Sequence, residues 1–359
     1  MIPTQLRPVA DDRLTAAEME RLIAAITRRR IVIGGAGAAL LAGAPGIVRG
    51  QDASPEALRE VHDLLGPVLV PAHPQRVIVE GNTTLGNMMA LGMTPIAATF
   101  NPYSFPTFLA NDVKDVLDIR EAGTGTLDLE KTLSLNPDLI IAMWGSNGEA
   151  WNLENVERYK QVVPATYAYA ADFMYEEQVK QNLIEVATAL NLEERAAEVL
   201  AEFDHRVAEL RQQVIATGFD EKPVTVVRVS DDGSLVIKVG TAESIVLQAL
   251  GIPQPAGQQD PTEIVLDLSP ERLDVLNEAW AVVLYVDDTA TFTPETLLAG
   301  PLWQSLTPVQ EGRVVFVSSG TWNALDILGI MAIMDDVEMK LLPLARAKQG
   351  LRPPGPSTA

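Results

Sequence analysis

The residues of this chain that could do chemistry are few and widely spaced. Asp287-Asp288 directly follows the apolar run Ala281 to Val286. Glu130 and Glu271 each open a helix-like segment, and each is followed at the same interval by a Leu-Asn pair, Leu135-Asn136 and Leu276-Asn277. Arg228 closes one strand-like run and Lys238 another. Asn82, Asn101, Tyr103, Trp144, Ser146, Tyr169, Tyr285 and Trp322 fall in or beside the segments that join strands to helices. Amides, aromatic faces and a guanidinium suit the grip of a small molecule better than the making or breaking of bonds.

What is missing narrows the chemistry further. The chain has no Cys, which excludes disulfides, thiolate metal sites and a lipid-modified Cys. Its three histidines, His62, His73 and His205, are not at metal-ligand spacing, so no metal site is expected. There is no Gly-x-Ser-x-Gly elbow, phosphate loop or His-Glu-x-x-His, and no catalytic residue is assigned. Gly123-Thr124-Gly125-Thr126 lacks the Lys of a phosphate loop. Asp287-Asp288 resembles a metal carboxylate pair, but one helix N-cap beside one solvated acid is the simpler reading. A net charge of -21 argues against nucleic acid as a partner.

The elements that must position these groups centre on Asn191 to Gly218. Ala196, Val199, Leu200, Phe203, Val207, Leu210 and Val214 recur at steps of three and four, one stripe on a helix. Asn191 is the expected N-cap, Glu194 its reciprocal partner and Gly218 the stop. Leu192 to Thr217 would rise about 39 Å, long enough to bridge two bodies. The first half, 66–190, alternates strands at Arg76–Val79, Pro95–Thr99, Asp138–Ala142 and Ala165–Tyr169 with helices at Thr83–Leu91 (capped by Asn82 or Thr83), Asp128–Leu135, Asn155–Val162 and Tyr175–Leu190. The second, 222–348, offers strands at Pro223–Val229, Leu235–Val239, Ala281–Val286 and Arg313–Val317. Its helices fall at Glu243–Leu250, Pro270–Leu276 and Asn323–Leu342. This alternation is the mark of α/β lobes with parallel-type sheets, joined here by one long helix. Residues 51–65 read as a linker and 349–359 as a disordered tail.

The halves echo one another. Ala90-Leu91-Gly92 precedes Pro95 as Ala249-Leu250-Gly251 precedes Pro253, and each Glu-helix unit leads into a buried strand. The interval between these landmarks differs, 38 residues against 20, so the echo is structural rather than a sequence repeat.

Residues 1–50 read as an export signal. Thr27-Arg28-Arg29-Arg30 precedes the mildly apolar, Gly/Ala-rich run 31–48, the pattern of a twin-arginine signal with Arg28 and Arg29 as its pair. An uncleaved membrane anchor is the rival reading. Gly35 to Leu40 imitates a dinucleotide fingerprint but ends in Leu where Gly or Ala is needed. Beyond the signal, residues 51–359 carry 20 basic and 44 acidic side chains, a net charge of -24. An exported acidic protein, in the periplasm or at the outer face of the cytoplasmic membrane, is expected.

Four phrases carry a family likeness: HPQRVIVEGNTTLGNMMALGMTPIAA, LDLEKTLSLNPDLIIAMWG, VVRVSDDGS with ESIVLQALGIPQP, and LWQSLTPVQEGRVVFVSSGTWNALDILG. Across roughly residues 70 to 345 they resemble the iron–siderophore substrate-binding proteins of ABC importers. The resemblance implies two α/β lobes on one helix, a cleft between them, and delivery of the loaded ligand to a membrane-embedded permease dimer. Cobalamin and haem binders share the frame. It also implies that Glu130 and Glu271, one per lobe, dock on the permease; the plain alternative is compensation of a helix dipole. Arg228 is the chosen electrostatic contact with the ligand, with Lys238 second. Tyr103, Trp144, Tyr169, Tyr285 and Trp322 would line the cleft, and Asn82, Asn101 and Ser146 would add hydrogen bonds. Few basic residues fall in these loops, which favours a hydroxamate, carboxylate or mixed siderophore over a tris-catecholate. No cofactor beyond the Fe(III)–siderophore cargo is expected, and a monomer is expected. A single helical connection implies small lobe movements on ligand binding.

Overall fold

A computed structural model describes residues 57–101, 105–122, 125–145, 151–171, 176–259 and 265–348. The first lobe begins with an antiparallel hairpin, β1 (Leu58–Asp63) and β2 (Gly66–Pro71). The linker expected over 51–65 therefore gives way to a strand at residue 58. Its turn is fixed by Asp63, whose carboxylate accepts from Leu65 N at 2.8 Å and from Lys160 Nζ at 2.6 Å. Val61, Val68 and Val70 are buried beneath it.

The first sheet comprises β3 (Val77–Val79), β4 (Ala97–Ala98), β5 (Leu117–Asp118), β6 (Leu139–Gly145) and β7 (Thr166–Ala171). Its order is β5-β4-β3-β6-β7 and every pairing is parallel. Helices α1 (Gly81–Ala90), α2 (Leu129–Ser134), α3 (Trp151–Val162) and α4 (Glu176–Leu190) lie in the connections. Parallel strands need such crossovers, and coverage on both faces explains the unbroken apolar runs. Asp128 caps α2 as expected, accepting from Lys131 N at 3.1 Å. The cap expected for α1 differs: Glu80 precedes the helix and makes no side-chain cap.

The spine, α5, runs from Glu193 to Ala216. Ala196, Val199, Phe203, Leu210 and Val214 are buried along the predicted stripe. Gly218 ends it in the left-handed region, at φ +61°. Asn191 is not its cap: it too has φ +61°, and its amide donates to Ala72 O at 3.2 Å, closing the turn out of α4. Lys180–Asp204 and Arg206–Glu338 ion pairs tie the spine to α4 and to the C-terminal helices.

The second sheet contains β8 (Val224–Val229), β9 (Leu235–Lys238), β10 (Val265–Leu268), β11 (Ala281–Val286) and β12 (Val314–Phe316), in the order β10-β9-β8-β11-β12. It is mixed rather than parallel throughout: β8, β11 and β12 pair in parallel, whereas β9 is antiparallel to both β8 and β10. The reason is local. Ser230-Asp231-Asp232-Gly233-Ser234 is too short for a crossover, and Gly233 at φ +84° turns the chain straight back. Helix α6 (Ala242–Ala249) follows β9, and short 3₁₀ turns replace the helix expected over Pro270–Leu276. Helices α7 (Pro294–Leu298), α8 (Pro301–Gln304) and α9 (Thr307–Gln310) connect β11 to β12.

The terminal helix expected over Asn323–Leu342 starts later, as α11 (Ile327–Asp336), after a separate short helix α10 (Ser319–Trp322), and continues through a π-helical turn at Val337–Leu341 into α12 (Leu342–Lys348). Asp326 restarts the helix by accepting from Gly329 N at 2.9 Å. The echo between the halves is present in three dimensions. Gly92 and Gly251 end α1 and α6 at φ +83° and +80°, with matched bonds from Met93 N to Met88 O and from Ile252 N to Leu247 O. One apolar core spans both lobes and the spine, and a second lies under the opposite face of the second sheet.

Candidate functional site

In sheets of this kind ligands sit beyond the carboxyl ends of the parallel strands. In the first lobe β3 ends at Glu80-Gly81, where Gly81 N donates to Thr99 Oγ1 at 2.9 Å. Asn82 Oδ1 accepts from Asn101 N at 3.1 Å, which holds the loop after β4 against the first turn of α1. Arg120 Nη1 donates to Phe100 O at 2.6 Å in the same loop. The Phe100 and Phe105 rings lie 5.5 Å apart at 41°. Asn82 and Asn101 thus meet at the strand ends, where the Asn82 side chain braces the Asn101 backbone.

The second lobe meets this rim directly. Phe105 N donates to Asp288 Oδ2 at 3.2 Å, and the Thr107 and Ser318 hydroxyls are 2.9 Å apart. Gly320, in α10, lies so close to the Phe105 carbonyl that a Cβ there would collide with it. Deeper in the seam, Gly86 of α1 packs on the Asp326 carboxyl, and Ile327 N donates to Asn87 Oδ1 at 3.1 Å. Burial pushes Asp326 up to about 7.

Arg228 stands one residue before the end of β8 and grips Asp287 with two bonds, Nε to Oδ1 at 2.8 Å and Nη2 to Oδ2 at 2.7 Å. The Asp287 side chain is 2% exposed and that of Arg228 is 28% exposed. The bond to Asp287 raises the Arg228 pKa. Asp287 is therefore neither a helix cap nor part of a metal pair, and Asp288 holds the first lobe rather than standing free. Among the described residues no cluster of metal-ligating side chains exists.

Four residues expected to meet the ligand lie inside the protein. Tyr169 is 2% exposed and shares a hydrogen bond of 3.1 Å with Thr84; burial raises its pKa. Tyr285 is fully buried and donates to Glu243 at 2.7 Å. Lys238 is 7% exposed, its Nζ 3.5 Å from the same carboxylate. Trp322 is fully buried, its Nε1 donating to Asp336 at 2.8 Å. For the three strand residues the physical reason is shared: helices cover the sheets, so their side chains point into a core and the polar tip finds an internal partner; Trp322, in α10, packs into the same core. Trp144 is paired with Ala170 at the end of β6, but its side chain lies outside the described set. Tyr103, Ser146, Arg28 and Arg29 lie outside the described residues.

Phe105, Ser318 and Asp326 were not singled out from the sequence, and Asp287 takes a role other than those weighed for it. Glu80 belongs with them. It is buried at the end of β3, accepts from Tyr159 Oη at 2.7 Å, and is raised to about 7 by that burial. An acid directly after the buried run Val77–Val79 was the available signal.

Glu130 and Glu271 are both exposed, in the first turns of α2 and of the 3₁₀ segment Pro270–Glu278.

Two α/β lobes on a helical spine, with their strand ends facing across a seam, define a two-lobed binding protein. Residues 77–320 match the periplasmic binding protein family, and the chain belongs to that family. The probable siderophore-binding lipoprotein YfiY of Bacillus subtilis (strain 168) is 26% identical over 290 residues, covering 76% of this chain and 84% of the relative. The petrobactin-binding protein YclQ of the same strain is 22% identical over 287 residues, covering 76% and 84%. Among solved structures, Staphylococcus aureus SirA complexed with staphyloferrin B has the same fold. Its TM-score is 0.63 at 21% identity, covering 79% of this chain and 98% of that one.

Proposed function

We propose that this chain captures a ferric siderophore between its lobes and delivers it to the permease of an ABC importer. The observation that carries the reading is the seam where the strand ends of the two lobes meet, at Phe105–Asp288 and Thr107–Ser318, within a family of binding proteins whose relatives are named for siderophores. The rim groups Asn82, Asn101, Phe100 and Phe105 supply the amide and aromatic surface of such a site. Tyr103, Trp144 and Ser146 are proposed to complete it. Binding rather than catalysis is the proposed activity, with iron as cargo.

Glu130 and Glu271 are proposed as the permease contacts. Each is exposed on an element that follows the first-turn pattern of the other lobe, which would set two acidic points on a two-subunit partner. Residues 1–50 are proposed to direct export through Arg28 and Arg29, and a monomer is the proposed state. Among the described residues no helix is long and apolar enough to cross a membrane.

Titration of the intrinsic tryptophan fluorescence tests the reading. Saturable quenching is expected with at least one ferric siderophore and not with haem, cobalamin or free metal ions. Saturable binding of one of the latter, with no response to any ferric siderophore, would replace it.

A further inference from the structure

The two lobes meet at two seams of opposite character. The deep seam joins α1 of the first lobe to α11 of the second. Ile327 is the first helical residue of α11, so its N–H has no partner within that helix. Asn87 of α1 supplies one, its Oδ1 accepting at 3.1 Å. The Asp326 carboxyl caps the same helix end through Gly329 N at 2.9 Å and packs on Gly86 of α1. Gly86, Asn87, Asp326 and Ile327 are all buried. Parting the lobes here would break a buried helix cap, so this is the side that stays together. The outer seam is built of polar contacts beside solvent. Its members follow the carboxyl ends of β4, β11 and β12, where ligands of such sheets sit. Phe105 N donates to Asp288 Oδ2 at 3.2 Å, and the Thr107 and Ser318 hydroxyls are 2.9 Å apart. Thr107 and Asp288 are exposed, Phe105 and Ser318 half-buried, so water can take over each bond once it breaks.

The first-lobe side of the outer seam is stiff. Thr107–Leu109 is a 3₁₀ turn in which Leu109 N donates to Pro106 O at 2.8 Å, and Leu109 is buried in the core. The Phe105 ring leans on Phe100. Residues 105–109 therefore move with the first lobe. Across the seam Gly320 removes the obstacle: a Cβ there would collide with the Phe105 carbonyl and hold the lobes apart. Resting on the reading of these strand ends as the cargo cleft, we propose that residues 105–109 are a strap of the first lobe, latched on Asp288, Ser318 and Gly320 of the second, whose release about the deep seam sets the rate at which cargo enters and leaves. Asp288 and Ser318 hold the strap rather than the ligand. A latch that closes with or without cargo hinders entry and exit alike. It governs both rates and leaves their ratio, the dissociation constant, nearly unmoved.

The chain has no Cys, so a lock can be added without rival thiols. In Thr107→Cys/Ser318→Cys the new thiols replace hydroxyls 2.9 Å apart, within reach of a disulfide. The bridge is expected to form under mild oxidant in the cargo-free protein. It should slow both association and dissociation by about a hundredfold or more, with recovery on reduction. Asp288→Ala/Ser318→Ala, which removes two bonds beside solvent, should raise both rates by about tenfold and move the dissociation constant by less than about threefold. The probe is the tightest binder among ferrichrome, ferric enterobactin and ferric citrate, followed by stopped-flow tryptophan fluorescence. Thermal unfolding checks that each variant is folded; if one is not, the other decides alone. A bridge that does not form overturns the inference, as does a bridged protein that exchanges cargo at the wild-type rate. So does a folded Asp288→Ala/Ser318→Ala whose rates stay unchanged or change in one direction of exchange alone. Each of these leaves the siderophore reading standing. Absence of binding by all three complexes, to wild type and to the reduced variant, removes both.

Discussion

Each lobe buries a glutamate against a tyrosine hydroxyl, and the two lobes treat its charge in opposite ways. In the first, Glu80 accepts from Tyr159 at 2.7 Å and no cation pairs with it among the described residues. Burial raises it to about 7, so near neutral pH the group sheds its charge by holding a proton. In the second, Glu243 accepts from Tyr285 at the same 2.7 Å, but Lys238 lies 3.5 Å away, itself only 7% exposed. The contrast follows from topology. The antiparallel return of β9 brings Lys238 beside β8 and under α6. The parallel first sheet has no equivalent return, and among the described residues no lysine stands beside Glu80. One lobe therefore manages its buried acid by protonation, the other by an ion pair.

Breaking the ion pair should have the largest effect. Lys238→Met leaves Glu243 buried and uncompensated, and an expected loss of about 3–5 kcal/mol should appear in urea unfolding at pH 8. A loss below about 1 kcal/mol would mean that Lys238 does not neutralise Glu243.

The first lobe should answer through pH. The folded-state pKa of Glu80 lies at about 7, above its ordinary 4.5, so the folded chain holds a proton that the unfolded chain has released. Stability is then greatest below about pH 4.5 and declines as pH rises through about 7, by on the order of 3 kcal/mol for this group. Asp326, raised from 3.8 to about 7, acts in the same direction. Glu80→Gln should flatten this decline and hold stability at pH 8. An unchanged pH profile would place the titration elsewhere.

The smallest effect on folding is expected where the lobes are most alike. Glu130→Ala and Glu271→Ala, both at exposed positions, should each change stability by no more than about 0.5 kcal/mol. Together they should abolish permease-dependent uptake while ligand affinity is retained. Uptake that survives both replacements would return these acids to the role of helix-dipole partners.

Much of the frame is legible in the chain itself. The stripe from Ala196 to Val214 states a helix, and Gly218 its end, because a 3.6-residue period and a left-handed stop are local properties. The buried strands Val77–Val79, Leu139–Gly145 and Ala281–Val286 are announced by apolar runs. The echo of Leu91-Gly92 in Leu250-Gly251 is a real structural echo. The misreadings are also physical. Asn191 has the composition of a cap but is drawn away by Ala72 O, a partner 119 residues distant. The helix expected from Asn323 starts late, at Ile327, because Asp326 caps it there. The hairpin at Leu58–Asp63 depends on Lys160 and Ala168 to hold its turn.

The candidate site was less legible. Sequence placed Tyr169, Lys238, Tyr285 and Trp322 in or beside strand-to-helix loops; the first three lie in strands and Trp322 in α10, and each points inward to a partner on another element. Strand alternation fixes which residues share a face but not which face meets the cleft. By itself the sequence determined two α/β lobes on a helical spine and a loop set poor in basic groups, since periodicity and composition are written locally. Only the tertiary structure decided which polar groups are committed: Arg228 to Asp287, Lys238 to Glu243, Asp288 to Phe105. Two of those pairings, Arg228–Asp287 and Asp288–Phe105, join residues far apart in the chain, and Lys238 meets Glu243 only because the chain turns from β9 into α6.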